Sequence, residues 1–571
     1  MSHDPNEVLH ALQSIVGEAH VSNDPNVICS YAWNGGVGSM PGPKFLKNWP
    51  IAVVLPSSTE EVAAIIKCCV SRGLPFRPLS SGNGGTYLSA STNTVVIDLC
   101  RMNRLIKMDA TNQMAVIEPY VTAGRLQAEA MKVGLTCHIV GAGPSHSPLA
   151  SATSFLGVGI TGASTGANFR NIMGIEWVTP QGEIVRIGSL GGDDDWFSEE
   201  GPGPGLRGMI RGLIGANGGL GVFTRIGYKL YPWAGPEALT TTGKSPLKGM
   251  VIDQNMRLFL PVWDTVEQMR DASFRLNRSG VAFALLRMPP NHIGWTLTAD
   301  NAEYARQRES GTLAQCARPE NRFAWQVLTI GHSPGEAAYQ QKTVEHIVAS
   351  TGGRMIPVEQ NDAEVLVRTL VTSLYVSRVF RGAGSGGTSF GVMETFNLLP
   401  DVIQASENIM EKDRAPGQSF AADGEEGCWA WPTESRHLWT ENIFASQAGT
   451  VKGVGAAWKG FLRHLNMVDL NPRLGLMAFM AGPLIELFGP RYSNVANWMR
   501  RIKRRVDPAG LADSTVHVGR EELPIAKWWP LLQRLAFSKA GGPALHLVCM
   551  LLGVISKPAK LPKQKPSPDS H

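Results

Sequence analysis

The sequence predicts an α+β protein: a ligand-cradling domain, then an α+β cap domain, then an apolar tail. Three observations predict it. Three glycine-dense runs fall before residue 232, each beside short apolar, strand-like segments. After Pro232-Trp-Ala-Gly-Pro236 glycine thins out, and longer amphipathic stretches follow at 263–276, 334–350 and 399–412. The final stretch turns apolar and then basic, unlike anything before it.

Taken in order, residues 1–45 form an N-terminal segment. Met-Ser-His-Asp-Pro-Asn-Glu lacks a basic start followed by an apolar core, so a secretory signal is not expected and a cytoplasmic setting is. Residues 51–79 read as β-α-β. Ile51–Leu55 is a strand, Ser58 and Glu61 form a capping box, and Val62, Ile65, Ile66, Cys69 and Val70 make one helical stripe that stops at Gly73.

The first glycine run is Arg77-Pro-Leu-Ser-Ser-Gly-Asn-Gly-Gly-Thr-Tyr-Leu88, ahead of the strand Val95–Leu99. Ser80, Ser81, Asn83 and Thr86 offer donors, while Gly82, Gly84 and Gly85 let backbone N–H groups converge on an anion. That nest suits a pyrophosphate. A strand at Ala115–Glu118 and a helix at Ala123–Lys132 follow.

The second run is Gly157-Val-Gly-Ile-Thr-Gly-Ala-Ser-Thr-Gly-Ala-Asn168, with Gly157, Thr161, Gly162, Ser164, Gly166 and Asn168 as candidate contacts. It contains a formal G-x-G-x-x-G, but Ala-Ser-Thr-Gly-Ala-Asn is a poor helix start. Glu183, at the spacing of a ribose-binding acid, sits in Pro180-Gln-Gly-Glu183 between strand-like Ile175–Thr179 and Ile184–Ile187. That is a hairpin turn, so a Rossmann unit is rejected. The third run, Gly215-Ala-Asn-Gly-Gly-Leu-Gly-Val-Phe-Thr224, leads directly into a strand. Its Gly218, Gly221 and Val222 are candidate contacts, because glycines permit positive φ and leave no Cβ in the way of a ligand. Three such runs imply one extended cofactor.

Composition excludes several classes. Of 571 residues, 43% are hydrophobic and 18% charged, as in an ordinary globular chain. A net charge of +5 with no aromatic-interleaved basic stripe before the end argues against nucleic acid. The eight cysteines show no C-x-x-C pair, and Cys68 and Cys69 read as small hydrophobes. Asp193-Asp-Asp195 reads as a solvated turn, so no metal is expected.

These segments resemble, in order and content, the PCMH-type FAD-binding domain of the vanillyl-alcohol oxidase superfamily. The likeness rests on Val54-Leu-Pro-Ser-Ser-Thr-Glu-Glu-Val62, the first glycine run through Thr86, Val95–Asn103, Met114–Thr122, Gly166–Gly182 and Gly215–Pro232. It covers nearly all of 46–235, and Ile502–Leu511, within a return segment at 496–525, is similar to the family's late segment that completes the domain. The resemblance implies FAD. It implies FAD without a covalent bond, because the histidine that tethers the flavin in some members is missing from Ser80–Tyr87.

Residues 236–495 are then the cap, loosely resembling the glycolate oxidase, D-lactate dehydrogenase and alkyl-dihydroxyacetonephosphate synthase branch through Ser389–Phe396 and Ser419–Trp431. The hydroxy-acid branch's H-x-x-H-x-G-D-G-N metal motif is not kept: Ala421–Gly427 retains Asp-Gly but has no neighbouring histidine. The activity implied is hydride transfer from an alcohol, hydroxy acid or hydroxylated aromatic to FAD. The alternatives are a redox-neutral flavin-dependent alkyl transferase or a flavoprotein subunit of an electron-transfer complex. Catalytic candidates are Arg378, Tyr375, Glu394 and His437, with Asp423, Glu425 and Glu426 beside them. Trp429, Trp431 and Trp439 suit an aromatic substrate or a packed core.

The partner expected is a small-molecule substrate; the sequence names no electron acceptor. In the tail, 526–571, paired tryptophans and a sixteen-residue apolar run, 540–555, precede Lys557, Lys560, Lys563 and Lys565. The run is too short to span a bilayer. It leaves two readings open: a peripheral contact with the inner face of a membrane, or packing on the protein or a partner subunit.

Overall fold

The structure is a computed structural model that describes residues 4–32, 49–82, 91–154, 157–188, 215–383, 386–412, 426–434, 437–445, 494–514 and 517–538, with shorter stretches between them. Its first sheet runs Val21–Ser22, Ala52–Val54, Val95–Asp98, Phe76–Leu79. Ala52–Val54 and Phe76–Leu79 both lie parallel to the central Val95–Asp98, whose residues are all buried. Continuous apolar runs covered on both faces are what parallel strands require.

The crossover helix is Thr59–Arg72. Ser58 Oγ accepts from the Glu61 amide at 3.1 Å, but the Glu61 carboxylate reaches back to the Ser57 amide, 2.7 Å, so the predicted capping box closes one residue early. Val62, Ile65, Ile66 and Cys69 are fully buried, and Gly73, at φ +63°, stops the helix. The return segment lies along the far edge: the Phe76 amide donates to Leu511 O at 2.9 Å, and the Asp513 amide to Phe76 O at 2.7 Å.

The second sheet has five strands in the order Leu105–Asp109, Met114–Ile117, Val222–Lys229, Ile172–Val178, Ile184–Ile187, all antiparallel. Glu183 occupies the turn of the last hairpin, where no dinucleotide-binding acid could sit. Glu176 ties this sheet to the crossover helix. Wholly buried, it accepts from Thr59 Oγ1 (2.5 Å), Thr224 Oγ1 (2.9 Å) and Arg186 Nε (2.7 Å). Burial pushes its carboxyl up, but the Thr59 and Arg186 hydrogen bonds, the nearby Arg225 charge and Thr224 hold it below the usual range.

The later part of the chain carries two three-stranded antiparallel sheets. One is Met256–Phe259, Gln326–Ile330, Ala284–Leu286; the other is Gly386–Glu394, His437–Ala445, Cys428–Thr433. An Arg287–Ala430 bridge joins them. The amphipathic stretches become the helices Val266–Ser279, Pro334–Ser350 and Leu399–Lys412. One core cluster runs from Val158, Ile160 and Ala167 of the second glycine run into Trp429, Trp431, Trp439 and Tyr375, so the two parts share buried apolar surface.

Candidate functional site

The three glycine runs meet around the short helix Pro148–Thr153. From the second run, Asn168 Nδ2 donates to Pro148 O at 3.0 Å. From the third, the Gly215 amide donates to Ser154 O at 2.6 Å and the Ala216 amide to Thr153 O at 2.8 Å. From the first, Ser81 Oγ accepts from the Ser147 amide at 3.3 Å. Pro78 closes the ring, its Cδ 3.2 Å from where a Cβ on Gly218 would stand. Ser80 Oγ donates to Pro119 O at 2.5 Å. Asn83, Gly84, Gly85 and Thr86 lie outside the described residues.

For several glycines the reason for having no side chain is different from the one expected. A Cβ would stand 2.8 Å from Phe169 N at Gly157, 2.3 Å from Pro432 O at Gly162, 2.1 Å from Ile210 O at Gly215 and 2.3 Å from Val178 O at Gly221. Protein backbone, before any ligand, occupies that space. Gly82 (φ +65°), Gly166 (φ +66°) and Gly218 (φ +77°) instead need a conformation that only glycine adopts cheaply.

The polar members of the second run are also engaged. Thr161 Oγ1 bonds Thr165 Oγ1 (2.8 Å), and Ser164 Oγ donates to Phe283 O (2.8 Å). The buried Asn168 side chain bonds Pro148, Ser151 and the Tyr228 hydroxyl. Val222 is buried in the five-stranded sheet opposite Val178. The second run is also the seat of the 428–445 hairpin. The Glu434 amide donates to Gly162 O at 3.0 Å, and the Glu434 carboxylate pairs with Arg170.

Two features were not legible in sequence. Lys503, inside the basic run Arg500–Arg505, points inward: its ammonium donates to Gly219 O and Ala512 O, both at 2.6 Å, and pairs with Asp507 at 2.7 Å. It clamps the third glycine loop to the return segment. The loop Val140–Ser147 reaches Ser81 on one side, and on the other a Cβ on Gly143 would stand 3.5 Å from Ser373 O. Its Gly-Ala-Gly-Pro stretch was the available signal.

On the cap side, the Tyr375 hydroxyl donates to Gln326 in the core, and burial pushes its pKa up. Arg378, three residues on, donates from Nη2 to Lys248 O at 2.6 Å. Glu394 stands opposite Leu438 in the sheet, and the half-buried His437 opposite Thr433, both at the end that carries the hairpin turn. Glu426 forms a buried two-point ion pair with Arg287 (Nη1 to Oε2, 2.9 Å). Asp423 and Glu425 lie outside the described residues.

Trp429 donates from Nε1 to His292 Nδ1 at 2.6 Å, His292 stacks on Trp295 with ring centroids 4.8 Å apart, and Tyr375 meets Trp429 edge-on. Burial, with the Arg287 charge behind it, pushes His292 down to about 3, so the ring is neutral. With Nδ1 accepting, its proton sits on Nε2. Glu441, paired with Trp429 across the strands, is pushed up to about 8 by burial.

One buried polar atom on these loops, Asn217 Nδ2 in the third run, lacks a partner among the described residues, and so does His138 Nε2, which faces Gly159 of the second run. Orphan atoms of this kind on convergent glycine loops are what a polyoxygenated ligand would satisfy, so the residues fit an FAD. Among the described residues no group of three His, Cys, Asp or Glu is placed to hold a metal ion, and no helix is long and apolar enough to cross a membrane.

Residues 50–188 match the family described as FAD binding domain. An uncharacterized FAD-linked oxidoreductase of Mycobacterium tuberculosis is 27% identical over 535 residues, covering 90% of this chain and 99% of the relative. The flavoprotein subunit of 4-cresol dehydrogenase (hydroxylating) from Pseudomonas putida is 30% identical over 191 residues, 32% of this chain and 35% of that one. Among solved structures, substrate-bound p-cresol methylhydroxylase superposes with a TM-score of 0.69 at 16% identity, covering 90% of this chain and 97% of that one. Residues 50–188 are thus an FAD-binding domain, and most of the chain shares the fold of p-cresol methylhydroxylase. It is an FAD-linked oxidase or dehydrogenase.

Proposed function

We propose that this flavoenzyme oxidises a hydroxylated aromatic compound. The observation that carries the reading is the buried aromatic group Trp295, His292, Trp429 and Tyr375, of which Trp295, Trp429 and Tyr375 share an apolar cluster with Val158 and Ile160 of the second glycine run. The names of the P. putida relative and of the p-cresol enzyme that shares the fold point the same way. FAD, when bound, supplies the hydride acceptor. Ser81, Gly82, Asn217, Gly218 and His138 are the residues proposed to hold it.

The chain's own work is to hold the ring, exclude water and stabilise the negative charge of a deprotonated hydroxyl. Arg378 is the proposed cation, because a guanidinium stays charged at any working pH.

Anaerobic mixing of the holoenzyme with phenols, simple alcohols and hydroxy acids, followed by flavin absorbance, tests the substrate class. Bleaching by phenols is expected; bleaching by hydroxy acids alone would overturn it, and no bleaching by any would favour the redox-neutral transferase. Arg378→Met should slow flavin reduction by on the order of 2–4 kcal/mol in barrier while FAD stays bound. Wild-type reduction rates in that variant would make Arg378 a strut for Lys248 and nothing more.

A further inference from the structure

The helix Trp529–Ala536 and the 3-10 turn Pro524–Trp528 before it are inside out. Gln533 is 4% exposed and donates to Asn466 Oδ1 at 2.9 Å, and Trp529 packs edge-on against Phe488, ring centroids 5.2 Å apart. The outward positions are Trp528 (66% exposed), Leu531 (55%) and Leu535 (57%), with Ile525 and Leu532 beside them. Three- and four-residue spacing puts these on one stripe. A soluble surface helix would have the reverse pattern, and an apolar stripe of this kind marks an interaction surface.

The surroundings say what covers it. Lys527 and Arg534 are exposed on the same short element. The segment is anchored through Glu486, which accepts from the Leu523 amide at 2.9 Å and pairs with Arg500 at 2.8 Å on the helix Val495–Val506. That helix exposes Trp498 (54%), with Arg501 and Arg505 one and two turns further along the same face. The acids nearby are Glu521, which pairs with Arg504, and Glu522, both on the turn before the stripe. From Ala526 to the end, Lys527, Arg534, Lys539, Lys557, Lys560, Lys563 and Lys565 stand against Asp569 as the sole acid.

We propose that this face docks the enzyme peripherally on an anionic lipid bilayer, with Trp528, Leu531 and Leu535 entering the interface and the flanking cations meeting acidic headgroups. Exposed tryptophans beside leucines and a run of cations are the chemistry of an interfacial helix, and the cations select anionic lipid. A second protein of ordinary interface composition would not need the excess of lysine. The proposal is independent of the substrate reading.

Flotation of the full-length holoprotein with phosphatidylcholine vesicles, with and without phosphatidylserine, tests it. Binding is expected to the phosphatidylserine vesicles, weakened by added salt. Trp528→Ser/Leu531→Ser/Leu535→Ser should lower the partition by about tenfold or more, because it removes the apolar side chains that enter the interface. Flavin content and circular dichroism of the variant check the fold. Should that variant misfold, Lys527→Glu/Arg534→Glu, at exposed positions, should remove the salt-sensitive part of the binding. The proposal is overturned by wild-type protein that ignores phosphatidylserine vesicles, by undiminished binding in both variants, or by self-association through this face in place of vesicle binding.

Discussion

Gly162→Ala separates two explanations of the second glycine run. A methyl on Gly162 would lie 2.3 Å from Pro432 O and 3.3 Å from Pro432 C, both backbone atoms of a buried strand, so the 428–445 hairpin must move. Overpacking of this kind costs about 1–3 kcal/mol. The shift also endangers the 3.0 Å Glu434 N to Gly162 O hydrogen bond, which contributes about 1 kcal/mol. The combined loss, about 2–4 kcal/mol, should lower Tm by roughly 5–15 °C for units of this size. Differential scanning calorimetry measures it, flavin absorbance reports FAD retention, and amide exchange should rise along His437–Ala445. Loss of FAD with an unmoved Tm and an unchanged hairpin would refute the reasoning and make Gly162 a ligand contact.

Burial pushes His138 and His292 down to about 3 and His517 to about 4 from 6.5, so the folded state binds fewer protons than the unfolded one below pH 6.5. Stability should therefore fall on acidification from pH 6.5, by about 1.4 kcal/mol per pH unit per histidine. Glu441 acts oppositely: raised from 4.5 to about 8, its contribution is complete below pH 4.5 and is lost as pH rises to 8. Tm should peak near pH 6.5, and Glu441→Gln should flatten the alkaline limb; a limb unchanged by that substitution would show that Glu441 ionises freely. Arg287→Met strands the buried Glu426 carboxylate and should cost about 3–5 kcal/mol in urea unfolding, with Arg287→Met/Glu426→Leu recovering most of it. A loss under about 1 kcal/mol in the single variant would mean that water reaches the pair.

Local rules carried the sequence reading where structure is local. The stripe Val62, Ile65, Ile66, Cys69 and the stop at Gly73 settled the helix Thr59–Arg72, because the 3.6-residue period and a left-handed terminus are written in consecutive residues. The turn at Pro180–Glu183 was legible for the same reason, and with it the rejection of a Rossmann unit. The presence of an extended cofactor was legible as well, since three glycine runs in order are a pattern along the chain.

Composition could say that glycine was needed at 157, 162, 215 and 221, yet not what fills the space; at 162, 215 and 221 the backbone of Pro432, Thr153 and Val178, distant in sequence, stands there. Lys503 read as one cation in a basic run, and only the return of 502–513 to the sheet edge turned it inward onto Gly219 O. Tyr375 and Glu426 carried the right chemistry for catalysis, but Gln326 and Arg287 already hold them, and those partners lie 49 and 139 residues away. The sequence by itself determined the kind of domain and its ligand chemistry. The tertiary structure decided which polar groups are already committed to protein, because burial and pairing belong to the neighbours a residue meets and not to the residue alone.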